Sequence, residues 1–161
     1  MRRLQELLLA AGLVAAPATA FANPYVSDHH RNTTDLGEVN FKLTSARLSY
    51  ADRRWITKVA DRAQQDPRAL IVVEARASGT KPQRAMRLAL HRAQAVREQL
   101  VQNGVAPDRI VMATYADEHA IRPSVRIRAT HESVDRVAAR YHADATVWSP
   151  RLRSGSATAR R

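Results

Sequence analysis

Hydrophobic positions along this chain change period several times, and each change predicts an element. Over residues 38–43, Val39, Phe41 and Leu43 alternate with Asn40 and Lys42, the period of two expected of a half-buried first strand. From Ser49 the spacing widens: Trp55, Ile56, Val59, Ala60 and Ala63 recur at three and four residues. Ser49 and Asp52 have the spacing of a capping box with Asp in place of Glu, and Pro67 stands just beyond the predicted helix. Leu70-Ile71-Val72-Val73 is a short run, largely β-branched, between Pro67 and Gly79, which predicts an interior strand covered on both faces. Pro82 then opens a second helix through Met86, Ala89, Leu90, Ala93, Val96 and Leu100, and Gly104 stands where a C-terminal glycine cap belongs. Ile110–Ala113 reads as a third strand. Val125, Ile127 and Ala129, alternating with Arg126 and Arg128, read as a fourth, and Val134, Val137, Ala138 and Tyr141 space a short helix within Glu132–Tyr141.

The order β-α-β-α-β-β predicts an α+β two-layer sandwich: a mixed four-stranded sheet with two helices on one face, the other face partly covered by the short C-terminal helix. Residues 38–130 form the domain in this reading. Residues 23–37 carry no apolar period and are expected to be an extended lead-in, residues 131–148 a helical extension, and residues 149–161 a disordered basic tail. Residues 1–22 have a different character. Arg2 and Arg3 precede the apolar run Leu7–Ala16, and Ala20-Phe21-Ala22 has the small-residue pattern of a signal-peptidase site, so this segment is expected to be a cleaved secretory signal. It is also short of the ~20 apolar residues that span a bilayer, so no membrane span is expected after cleavage.

The charge sharpens that picture. With 161 residues, 26 Lys plus Arg against 15 Asp plus Glu, and a net charge of +11, the chain favours anionic partners. An intracellular domain of this sign points first to nucleic acid, whereas an exported one meets anionic lipid, lipopolysaccharide phosphate and peptidoglycan carboxylate. The absence of cysteine removes a disulfide framework and a thiol nucleophile. No paired acids, Ser-His-Asp order or phosphate-cradling glycine loop marks an enzyme, and no cofactor is expected. Asp28-His29-His30 offers either a surface metal site or plain solvated residues, without a second cluster to complete a coordination shell.

Three stretches together resemble one family. They are Val39-Asn40-Phe41 with Leu48; Leu88, Arg92, Ala93, Val96, Leu100, Gly104 and Val105 at their spacing through the second helix; and Asp108-Arg109-Ile110. The pattern resembles the OmpA C-terminal-like domain over roughly 38–130. The resemblance implies a periplasmic domain that grips the diaminopimelate of peptidoglycan. In that family an Asp after the second strand takes the ammonium and an Arg on the second helix takes the carboxylate, and each charge offsets the other's desolvation.

Residue by residue, the resemblance carries over Arg92 as the helix arginine. The family's Thr-Asp pair falls on Ala77 and Ser78, its helix asparagine on Ala85, the small polar residue after the leucine on Ala89, and its paired arginines on Pro123 and Ser124. The expected ligand set is therefore Arg92, Ser78, Glu74 and Arg122, with Glu74, Asp117 and Glu118 as candidates for a relocated acid. Arg126 and Arg128, on one face of the last strand, form either a basic stripe or an ordinary solvated face. The resulting expectation is a non-enzymatic structural or interaction subunit of an envelope assembly, of secretion, conjugation, pilus or motor type, with lost or weakened diaminopimelate binding. Its partners would be assembly proteins and peptidoglycan. A peptidoglycan binder using Arg92 and a relocated acid is the alternative, and a nucleic-acid-binding transport component is the third.

Overall fold

The computed structural model describes residues 33–77, 81–116, 123–141 and 145–151. The predicted signal, His29, His30, Ser78, Asp117, Glu118, Arg122 and the tail beyond Arg151 lie outside them. The elements run β1 (Thr33–Asn40), α1 (Tyr50–Gln65), β2 (Leu70–Ala77), α2 (Pro82–Gln102), a single 3-10 turn (Pro107–Arg109), β3 (Ile110–Ala116), β4 (Ser124–Thr130), α3 (Val134–Arg140) and β5 (Ala145–Trp148).

Local chemistry explains the helix ends. Ser49 accepts from the Asp52 amide while the Asp52 carboxylate accepts from the Ser49 amide, so two backbone donors at the start of α1 are satisfied reciprocally. Pro82 opens α2, and Gly104, at φ 91°, follows its last turn in the left-handed conformation that glycine adopts without penalty.

The strands form one mixed sheet in the order β1-β4-β2-β3-β5, parallel between β2 and β3 and antiparallel at the other three pairings. The sheet therefore has five strands rather than the predicted four. Ala145–Trp148 joins the β3 edge within a stretch read as helical extension, because four residues are too few to show a period. The first strand is also displaced. It begins at Thr33, inside the expected lead-in, and ends at Asn40, which puts Leu43 in the β1–α1 connection with 68% of its surface exposed. Antiparallel pairing with β4 recruits Thr33–Gly37 through the backbone, which apolar periodicity does not register.

Side-chain alternation divides the core. Ile71, Val73, Ala75, Val125 and Ile127 meet the apolar stripes of α1 and α2 on one face. On the other, Leu70, Val72 and Val111 pack with Val137, Val134, Tyr141 and Val147. Thus α3 supplies cover that the two long helices cannot, and Val147 of β5 widens the face it covers.

Candidate functional site

Ala85, Ala89, Ala93, Val96 and Leu100 make the buried face of α2, and Arg92 lies within that same stripe with no exposed surface. Small alanines let the helix approach the sheet, so the long arginine stem passes through the core and its guanidinium emerges beneath the β1–α1 connection. There Nε donates to the Ser45 carbonyl at 2.9 Å, and Nη2 donates to those of Lys42 and Leu43, both at 2.8 Å. Nη1 reaches the Arg76 carbonyl at 3.4 Å, and the Phe41 ring centroid lies 5.4 Å from the guanidinium carbon. No carboxylate among the described residues pairs with Arg92, and burial lowers its pKa from the ordinary arginine value. Four neutral carbonyls and an aromatic face thus hold the cation.

Glu74 is equally engaged, but elsewhere. Its side chain leaves β2 on the face opposite Ile71, Val73 and Ala75. There Oε1 takes Arg128 Nη1 at 3.0 Å and the Tyr141 hydroxyl, which donates at 2.7 Å. With Glu74 5% exposed and the Arg128 side chain 16%, this is a largely desolvated ion pair closed by Tyr141, the residue that caps the end of α3. Arg76 and Tyr115, opposite each other in the parallel register, form a hydrogen bond on the same face. Burial, reinforced by the Glu74 charge, raises the pKa of Tyr141; burial, partly countered by Arg76, raises that of Tyr115.

Of the predicted site residues, then, the structure places Arg92 and Glu74 on opposite sides of the sheet and does not bring them together. Arg126 and Arg128 do share one face, but each has an acidic partner: Arg126 lies 3.4 Å from Glu38 and 3.9 Å from Asp35, and Arg128 takes Glu74. They form an ion-pair lattice rather than an open basic stripe. Ser78 and Arg122 lie outside the described residues.

Two buried features escaped sequence reasoning. Arg109 donates to the carbonyls of Ala69, Ala63 and Asp66 at 2.9, 2.9 and 2.7 Å, tying the end of α1 to the start of β2. Its signal was present in the Asp108-Arg109-Ile110 motif, without any indication of what the arginine holds. Tyr141, read only as an apolar helix position, is a hydrogen-bond donor to a carboxylate 67 residues away.

Beside the Arg92 anchor, an open groove of about 620 Å³ runs along the N-terminal half of α2, lined by Thr44, Lys81, Gln83, Arg84, Arg87, Leu88 and His91. Among the described residues no group of three His, Asp or Glu side chains is placed to hold a metal, and no helix is long and apolar enough to cross a membrane.

Comparison with known proteins gives a family and a fold. The OmpA family matches residues 40–133. Comparison with curated proteins gives no match. Among solved structures, a periplasmic domain of Helicobacter pylori MotB superposes with a TM-score of 0.52 at 21% identity, over 63% of this chain and 76% of that one. The peptidoglycan-associated lipoprotein of Burkholderia pseudomallei gives 0.50 at 18% identity, over 58% and 90%. The OmpA-like domain of FopA1 from Francisella tularensis gives 0.50 at 14% identity, over 76% and 97%. At these identities the likeness is one of fold.

Proposed function

The chain belongs to the OmpA family, and from that premise we propose that it is an exported, non-enzymatic module of the bacterial envelope. In this reading it serves as a structural or interaction subunit of a larger envelope assembly, with the family's grip on diaminopimelate weakened. The observation that carries the reading is the state of Arg92. A guanidinium that is to take a ligand carboxylate needs a donor edge facing solvent, and here three short bonds to the loop carbonyls occupy Nε and both Nη2 hydrogens. A ligand would have to displace Lys42–Ser45 to reach them. The ammonium end fares no better: in the sequence Ala77 and Ser78 stand where the family acid is expected, and Glu74 is committed to Arg128 and Tyr141 on the other face of the sheet. The apolar run and Ala20-Phe21-Ala22 support export to the periplasm, and the fold likeness to a periplasmic domain of MotB fits it.

The test is sedimentation of residues 23–161 with diaminopimelate-type sacculi at low and moderate salt, with free diaminopimelate as competitor. The expected result is pelleting only at low salt, where screening is weak, and no effect of the competitor. Salt-resistant pelleting that free diaminopimelate blocks would overturn the reading. It would establish instead a peptidoglycan-binding domain that pairs Arg92 with an acid such as Asp117 or Glu118.

A further inference from the structure

The groove along α2 has a chemistry of its own. Lys81, Arg84, Arg87 and His91 are all exposed and line it together. They span ten residues of rise, about 15 Å at 1.5 Å per residue, which is longer than a single small anion. None of the four has an acidic partner among the described residues, whereas Arg126, Arg128, Arg140 and Arg151 all do. The helix does not balance them either, because its first acid is Glu98.

Leu43 precedes the groove-lining Thr44 in the chain and is 68% exposed. Its backbone is held in place. Arg92 binds the carbonyls of Lys42, Leu43 and Ser45, so the loop is pinned from below while Leu43 points away from the core and Lys42 adds a further exposed cation.

The geometry points to this face as a docking site for an anionic phospholipid surface, with headgroup phosphates along Lys81, Arg84 and Arg87 and Leu43 entering the boundary below them. Guanidinium groups suit phosphate through paired hydrogen bonds, and a row of them suits an array of headgroups. An apolar side chain held out beside that row has a counterpart in the acyl boundary of a lipid layer and none in a phosphodiester backbone or a glycan strand. The site uses none of the groups that would form the family's ligand clamp, and its cations are independent of whether that clamp is functional.

The test is flotation of residues 23–161 with phosphatidylcholine vesicles prepared with and without phosphatidylglycerol. Binding is expected only with phosphatidylglycerol, falling as salt rises from about 0.1 M to about 1 M and the screening length shortens from ~10 Å to ~3 Å. Arg84→Glu with Arg87→Glu should weaken it at least about tenfold, and Leu43→Ser about tenfold through the lost apolar contact. All three positions are surface residues, and unchanged thermal unfolding would confirm that the variants fold. A charge-matched control, Arg62→Glu with Arg68→Glu, lies near the opposite end of the helix pair and should leave binding intact. Equal loss in that control would overturn the proposal by showing diffuse charge attraction. So would tighter binding to duplex DNA with no effect of Leu43→Ser, which would make the groove a phosphodiester site instead.

Discussion

Replacing Arg92 by alanine is the perturbation that most directly tests how this domain is held together. The side chain has no exposed surface and donates three hydrogen bonds of 2.8–2.9 Å, with a weaker fourth at 3.4 Å. Hydrogen bonds from a charged donor are worth about 1.5–3 kcal/mol each. The low end applies here because Lys42 and Leu43 are exposed and their carbonyls regain water once released. Three bonds at that value give about 4–5 kcal/mol, and relief from burying an unpaired cation returns part of it. The net loss is expected to be about 3 kcal/mol, a fall in Tm of roughly 10 °C for a domain of this size. Arg92→Lys should recover little of it, because an ammonium cannot reproduce the planar fork that reaches carbonyls on two sides. Urea unfolding followed by the fluorescence of Trp55 and Trp148 measures the loss, and amide exchange across 42–47 locates it. A change below about 0.5 kcal/mol, within the range of ordinary surface substitutions, with exchange in the loop unaltered, would refute the assignment of Arg92 as the anchor of the β1–α1 connection.

Other outcomes follow from the opposite face and from β1. Glu74→Gln leaves Arg128 without its counter-charge and should cost about 2–3 kcal/mol, against about 1 kcal/mol for Tyr141→Phe; faster amide exchange over 134–148 would mark the loosened α3. Because the tyrosine pKa values are raised in the folded state, the stability they contribute is complete below the unfolded value of about 10 and declines as pH rises above it. Alkaline denaturation should therefore begin above about pH 10, with a shallower slope in Tyr141→Phe. Gly37, at φ 126° beside the register shift in β1, would direct a Cβ into the Trp55 ring, so Gly37→Ala should destabilise by about 2 kcal/mol in calorimetry.

Much of the architecture was legible in local pattern. The capping box at Ser49, the proline at the start of α2, the left-handed Gly104 and the run Leu70–Val73 are signals whose chemistry is complete within a few residues, and each appears where the pattern puts it. Helix periodicity likewise identified the face of α2 that meets the sheet. Elements that depend on a partner were not legible in the same way. Thr33–Gly37 and Ala145–Trp148 are strands because β4 and β3 offer them unpaired backbone edges, and backbone hydrogen bonding leaves no mark on side-chain period.

The candidate site divides along the same line. Sequence alone determined that an arginine would stand at position 92 on an amphipathic helix, that the family's acid would be missing beside it, and that α2 would carry unbalanced positive charge until Glu98. Only the tertiary structure decided what those charges do. It wrapped Lys42–Ser45 over Arg92, turned Glu74 to the opposite face of the sheet with Arg128 and Tyr141, and left Lys81, Arg84 and Arg87 facing an open groove lined also by Thr44. The physical reason is that a charge takes its role from whatever replaces its water. For Arg92 and Glu74 those replacements lie 16 to 67 residues away, brought near by sheet order and helix packing rather than by any spacing along the chain.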